Sequence, residues 1–112
     1  MKDIYRGDNQ TYNLSFTKDD GTPQPITDWK IFFTMKKKLD QSDDDADVKI
    51  DVTEHDDAEN GLTSIHLSNG QTDTLIPGSY HYDIQVKKAE NDITTIVKGK
   101  IIVLADVTRR ED

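Results

Sequence analysis

The stretch YHYDIQVK, residues 80–87, decides the fold class because apolar and polar residues alternate along it without interruption. A period of two places successive side chains on opposite faces of a β-strand, whereas a helix repeats every 3.6 residues. We expect one set to face a core: Tyr80, Tyr82, Ile84 and Val86. The segment therefore predicts a half-buried strand.

Shorter alternating stretches lie on both sides of this segment. They predict strands at residues 10–16, 30–37, 48–52, 62–67 and 93–103. Turn residues separate them, with a hairpin loop predicted at 88–92. Residues 68–78 lack alternation and predict a short helical turn or irregular crossover between sheets, and Gly99 predicts a bulge in the last strand.

The segment LIPGSYHY, residues 75–82, resembles the crossover into strand F of immunoglobulin-like domains. In such domains a tyrosine hydroxyl ties the corner to nearby backbone, and we expect Tyr80 to do so here. Trp29 begins the strand at 30–37 and is the predicted anchor of the core, because no other side chain in this chain buries as much area.

The composition agrees with a β domain. Ile, Val and Thr supply 29 residues, against 10 from Leu and Ala, and branching at Cβ favours strands over helices. Cysteine is absent, which excludes disulfides, cysteine nucleophiles and thiolate zinc sites. We predict an all-β, immunoglobulin-like antiparallel β-sandwich of about seven strands with no disulfide, spanning residues 1–106, followed by a charged C-terminal tail at 107–112.

The net charge argues against two classes of partner. The chain carries a formal charge of −8 at pH 7, so nucleic acid and anionic membrane surfaces are predicted not to bind it. No apolar stretch approaches the roughly 18 residues of a membrane-spanning helix, and the N-terminus does not read as a signal sequence. We expect a protein made in a cytoplasm.

An acidic stretch at residues 40–60 holds ten of the 22 carboxylates. Asp40, Ser42 and Asp44 copy the first ligands of an EF-hand loop, but Asp45 stands where that loop requires glycine and Asp51 where it requires glutamate. Glycosidase chemistry needs two carboxyl groups fixed across a cleft, which nothing in the pattern predicts. We therefore predict a solvated loop, with no metal, cofactor or catalytic residues.

Two other motifs have structural explanations. His66 and His81 are predicted on outward positions of adjacent strands, within reach of each other, but two histidines do not complete a metal site. No serine lies in the G-x-S-x-G motif of hydrolases. The tripeptide Arg6-Gly7-Asp8 spells an integrin-binding sequence, and we predict an ordinary turn before the first long strand.

Segments along nearly the whole chain resemble a group of small phage and prophage proteins. They are residues 6–8, 12–16, 19–23, 26–36, 75–85, 98–100 and 106–110. That group is similar to the N-terminal immunoglobulin-like domain of phage baseplate upper proteins. The resemblance is carried by turn glycines and core aromatic residues and not by catalytic ones.

The resemblance implies a non-enzymatic structural protein of a tail, baseplate or fibre-attachment assembly. Its expected partners are other phage structural proteins or further copies of itself, and its expected location is the virion, assembled in the bacterial host cytoplasm. We expect an interface at the first strand, the 93–103 strand or the C-terminal tail. The alternative is a carbohydrate-binding or adhesion module on a virion or cell surface, and a small hydrolase is a third, weaker hypothesis.

Overall fold

The computed structural model describes residues 3–38 and 46–105 of the chain. Within them lie seven strands: β1 (Ile4–Tyr5), β2 (Gln10–Ser15), β3 (Lys30–Lys36), β4 (Val48–Val52), β5 (Leu62–Leu67), β6 (Gly78–Ala89) and β7 (Asp92–Leu104). A 3₁₀ helix covers Ala58–Asn60, and the helix α1 covers Asn69–Asp73, where a short helical turn was predicted. The protein has an all-β, sandwich-like fold, as predicted.

The strands form two sheets. A five-stranded sheet has the order β1-β7-β6-β3-β4, and a two-stranded sheet pairs β2 with β5. Neighbours are antiparallel except β1, which runs parallel to β7 through the registers Ile4–Val103 and Tyr5–Leu104. The sequence did not predict β1, because two residues are too few to show a period.

The core lies between the two sheets and confirms the alternation read from β6. Tyr80, Tyr82, Ile84 and Val86 are all buried. Phe33 of β3 is fully buried, and its ring centroid lies 6.1 Å from that of Tyr12 on β2 and 6.2 Å from that of Tyr82. These separations fit tilted aromatic contacts, so both sheets meet around Phe33.

Trp29 does not occupy the centre of the core, and this prediction was wrong. The residue precedes β3 and is only partly buried, with its ring edge-on to Phe16 at 5.8 Å between centroids. The Lys88 ammonium lies 5.0 Å from the Trp29 ring centroid, a cation–π distance. Trp29 therefore closes the rim of the sandwich, and Phe33 takes the central position.

The predicted hydrogen bond from the Tyr80 hydroxyl to nearby backbone is confirmed. The Tyr80 hydroxyl donates a hydrogen bond of 2.7 Å to the backbone carbonyl of Ile76, and the residue is buried. Burial raises the pKa of Tyr80, and the charge of Asp47 adds to this. The hydrogen bond fixes the segment that crosses from α1 to β6.

The bulge in β7 lies at Ile96 and not at Gly99, where the sequence predicted it. The register passes from Ile84–Val97 to Gln85–Thr95, which leaves Ile96 as the extra residue. Gly99 stays in register with Tyr82, and a Cβ added there would lie 3.2 Å from the Tyr82 ring. Glycine at this position therefore makes room for the neighbouring aromatic ring, a recurrent pairing across strands.

The hairpin between β6 and β7 is tighter than predicted. Its turn contains Glu90 and Asn91, because β6 continues to Ala89 and β7 begins at Asp92. A second register shift, between Lys87 and Ala89, lies next to the turn. The two strands therefore form a long ribbon.

Candidate protein-interaction surface

Five strands in the described part of the chain leave all or part of one edge without a strand partner, namely β1, β2, β4, β5 and β7. Beyond β6, the strand β7 is paired only at Val103 and Leu104, by β1. In the other sheet, β2 pairs with β5 along one side only. Of these, β2 and β7 are the first long strand and the last strand, where an interface was predicted; the predicted tail at 107–112 lies outside the described residues.

The open part of β7 is exposed along its whole length. Every residue from 92 to 100 is exposed, including Ile93 at 53%, Ile96 at 40% and Val97 at 38% of full accessibility. The opposing sheet has two strands against five, which leaves apolar side chains on the inner side of β7 uncovered. Exposed apolar residues grouped along one open edge are typical of an interaction surface.

A cleft borders this edge on its inner side. It encloses about 360 Å³ and is lined in part by Phe16, Trp29, Val86, Thr94 and Ile96. Phe16 follows directly after β2, so the cleft joins the end of one open strand to the open half of the other. Lys18, Asp19 and Lys88 contribute charged groups to the lining. Apolar walls with charged groups beside them suit the side chains of a docked polypeptide.

A second depression lies on the outer side of the same sheet. It has a volume of about 460 Å³, and its lining includes Lys36, His81, Lys98 and Lys100, with Asp83 opposite Lys98. The pairing register places Lys36, His81 and Lys100 in one row across β3, β6 and β7. Basic side chains therefore outnumber acidic ones along the outer side of the β7 edge.

This basic surface was not predicted from the net charge of −8. The rows that pass through β3 carry six lysines on the outer face against two aspartates. The lysines are Lys30, Lys36, Lys49, Lys87, Lys98 and Lys100, and the aspartates are Asp51 and Asp83. Every second residue of a strand shares a face, so strand periodicity gathers charges that the total conceals.

Hydrogen bonds at the covered end of β7 show which backbone groups point outward. The Ile102 amide donates to the Asp3 carboxylate at 3.3 Å, and the Leu104 carbonyl accepts from the Arg6 amide at 3.0 Å. In an antiparallel strand both backbone groups of alternate residues point to the same side. Lys98 and Lys100 therefore also direct their N–H and C=O groups toward the open edge.

The Arg6-Gly7-Asp8 segment forms the turn that was predicted. Gly7 has a φ of 89°, in the region that favours glycine. Its amide donates to the Thr72 hydroxyl at 3.1 Å, and that hydroxyl donates to the Asp8 carbonyl at 2.7 Å. Thr72 is fully buried on α1, so the turn is fastened to the rest of the fold.

The predicted approach of His66 to His81 was wrong, because they lie in different sheets. His66 is on β5, which pairs with β2, while His81 is on β6. The Nδ1 atom of His66 lies 2.8 Å from the Thr11 hydroxyl. A third histidine, His55, is held between the Thr63 hydroxyl at 2.9 Å and the Trp29 carbonyl at 2.7 Å. The hydrogen bonds of His55 and His66 hold both imidazole rings in place within the fold.

Two further features concern metal ligands and membrane-spanning segments. Residues 3–38 and 46–105 contain no group of three or more His, Asp or Glu side chains arranged to hold a metal ion. The calcium-like pattern at residues 40–44 lies outside the described residues. Neither helix in the described ranges has the length and apolar character needed to cross a membrane.

Comparison with known proteins finds similarity among solved structures. No protein-family model matches the sequence, and no curated protein does either. Among solved structures, the protein is similar to the N-terminal domain of phage TP901-1 ORF48, with a TM-score of 0.53 and 14% sequence identity. The match covers 95% of this chain and 84% of that chain. The two share a fold, and the likeness extends over almost the whole chain.

Proposed function

We propose that this protein is a non-enzymatic structural component of a phage or prophage tail or baseplate, acting through protein–protein contacts. The observation that carries the proposal is the shared fold with the N-terminal domain of phage TP901-1 ORF48 over 95% of this chain. Fold alone does not assign a function, so the surface must supply the rest of the argument. The proposed location is the virion, after assembly in the bacterial host cytoplasm.

An immunoglobulin-like arrangement is part of this proposal. The neighbours β3, β6 and β7 face a separate sheet formed by β2 and β5, which corresponds to the C, F, G and B, E strands of such domains. The hydrogen bond from Tyr80 to the Ile76 carbonyl has the position of a tyrosine corner at the start of strand F. Domains of this kind serve widely as rigid modules that present edges and loops to partners.

The exposed half of β7 supports a role in assembly. An open strand edge with Ile93, Ile96 and Val97 exposed is a liability for a protein that stays alone. In an assembled particle the same edge would be covered by a neighbouring subunit. The proposed partners are therefore other phage structural proteins, or further copies of this chain.

Deletion of the gene from a lysogen tests the proposal. Particles induced from the deletion strain should show incomplete tails or baseplates by negative-stain electron microscopy, and the wild-type gene in trans should restore them. The protein itself should be detected by mass spectrometry in particles purified from the parent strain. Normal infectious particles from the deletion strain, with the protein absent from parental particles, would contradict a structural role. Calcium-dependent binding on a glycan array would support the adhesion alternative instead.

A further inference from the structure

We propose that the open edge of β7 binds, by strand addition, an extended segment of a partner protein in which acidic residues alternate with apolar ones. The inference rests on the proposed function, because it names the kind of partner that a structural module of this shape would take. The edge of β7 offers three kinds of group to a partner: backbone groups along the edge, charged side chains on the outer face and apolar side chains on the inner face.

The edge direction supplies backbone hydrogen bonds. The outward N–H of Ile102 already has a carboxylate acceptor in Asp3, at 3.3 Å. The same alternation turns the backbone groups of Lys98 and Lys100 to the open side, where β1 does not reach. An added strand would use these groups as its ladder, the mode by which exposed sheet edges take up peptides.

The outer face selects acidic side chains. Residues of an added strand opposite Lys98 and Lys100 would point to the same face as those lysines. The row of Lys36, His81 and Lys100 lies on that face, in the 460 Å³ depression, whose one acidic lining residue within the described chain is Asp83. Opposite charges across neighbouring strands stabilise pairing, and like charges oppose it. Carboxylates therefore suit these positions of the partner segment.

The inner face selects apolar side chains. The residues between the acidic ones would point toward the side of Val97 and Gly99, where Val97 is 38% exposed. Beyond Val97 lie Ile96 and the cleft that Phe16 and Trp29 help to line. Covering these groups removes apolar surface from water. The two faces of one edge therefore require an alternating segment rather than a uniformly acidic one.

A second copy of this chain fits the edge less well. Two β7 edges brought together would place lysines on both strands, and each chain carries a net charge of −8. The bulge at Ile96 also interrupts regular pairing, so the regular part of the open edge runs from Val97 to Lys100. A short segment of about six residues is enough to cover it.

The test uses isotope-labelled protein and synthetic peptides of about seven residues. One peptide alternates glutamate with valine, a second alternates lysine with valine, and a third contains glutamate only. Chemical-shift changes in the protein's amide spectrum give both the affinity and the location. We expect the glutamate–valine peptide to bind at least ~10-fold more tightly than either comparator, to shift the Lys98 and Lys100 amides, and to weaken as salt is added.

Variants at Lys98 separate strand addition from simple charge attraction. Lys98→Pro removes an outward N–H without breaking a hydrogen bond to β6, and proline is tolerated at such edge positions. We expect it to abolish binding, whereas the control Lys98→Gln should weaken binding only a few-fold. A double change, Lys98→Glu with Lys100→Glu, should reverse the preference in favour of the lysine–valine peptide. The double variant keeps the test decisive if the proline variant does not fold.

Three results would overturn the proposal. They are equal binding of the all-glutamate peptide, shifts confined to residues outside β7, and binding that the double variant leaves unchanged. Concentration-dependent self-association through β7 would likewise assign the edge to a second copy. The particle experiment above does not depend on these peptides, so a protein present in virions with no peptide binding at β7 defeats this inference alone.

Discussion

The two halves of β7 pair with the same neighbouring strand yet have opposite surroundings. At the end of the strand, Ile101 and Val103 are buried and β1 covers the outer edge. From 92 to 100 every residue is exposed, and no described strand covers that edge. The closed half therefore contributes to folding through burial, while the open half retains groups that folding has not used. Substitutions matched across this boundary should separate stability from binding.

The largest effect is expected at Ile101, which is fully buried, compared with its neighbour Ile102, which is 45% exposed. Ile101→Ala removes core atoms and leaves a cavity, so it should lower the free energy of unfolding by about 2–5 kcal/mol. Ile102→Ala should change it by less than about 1 kcal/mol. Urea unfolding monitored by circular dichroism measures both. Equal losses of unfolding free energy in the two variants would contradict the assignment of Ile101 to the core and Ile102 to the surface.

A smaller loss is expected at Thr72, which holds the turn after β1. Its hydroxyl accepts from the Gly7 amide and donates to the Asp8 carbonyl, and the side chain is fully buried. Thr72→Val leaves both groups without this partner and should lower the free energy of unfolding by about 1–3 kcal/mol. Thr74→Val is the matched control, because Thr74 is exposed at the C-cap of the same short helix and its hydroxyl donates only an exposed hydrogen bond, to the Gln71 carbonyl. If Thr72→Val left the free energy of unfolding unchanged, the turn after β1 would not stabilise the closed half of β7.

A third effect is confined to alkaline pH. Burial, with smaller contributions from Asp3 and Tyr82, raises the pKa of Tyr12 from 10.0 to about 12. Below pH 10 the phenol is neutral in both states, so its contribution to stability is complete. Between pH 10 and 12 the unfolded chain ionises first, and stability falls as pH rises.

Tyr12→Phe should therefore make the loss of stability between pH 10 and 12 shallower, as measured by urea unfolding at several pH values. Tyr5→Phe is the control, because the Tyr5 ring is 56% exposed on β1. An unchanged pH profile in Tyr12→Phe would contradict the contribution assigned to this buried phenol. Both variants should match the parent near neutral pH more closely than Thr72→Val does.

Much of the sheet architecture was predictable, because apolar and polar residues alternate in the sequence of a half-buried strand. Five strands were recovered from this signal with small errors at their ends, and the sixth, β6, was the clearest. The hydrogen bond of the Tyr80 hydroxyl was predictable because it is local, joining Tyr80 to the Ile76 carbonyl. Such features depend on residues close together in the sequence.

The features that were missed depend on pairing between distant segments. Trp29 was predicted to lie at the core centre from its size alone, but its depth is fixed by where β3 begins. Gly99 suggested a bulge, while the bulge at Ile96 follows from the register against β6. Predicting the basic outer face requires the knowledge that β3, β6 and β7 are neighbours in one sheet. Strand order and register are properties of the assembled sheet, and a single alternating segment does not encode them.

The smallest effect on folding is expected at Val97, in the open half. Val97→Thr keeps the branched shape that strands favour and places a hydroxyl where the side chain is already 38% exposed. The free energy of unfolding should change by less than about 0.5 kcal/mol. The same change at Val103, which is 1% exposed, buries a hydroxyl in the core and should be clearly larger.

Binding should show the opposite order. Val97→Thr makes the inner side of the open edge more polar, so it should weaken the binding of the glutamate–valine peptide. Val103→Thr should not weaken this binding, because Val103 lies beyond the open part of the strand. Parallel measurements of urea unfolding and peptide affinity on both variants test this inversion. If Val97→Thr cost as much stability as Val103→Thr, the open half would be part of the folded core, and its apolar side chains would need no partner to explain them.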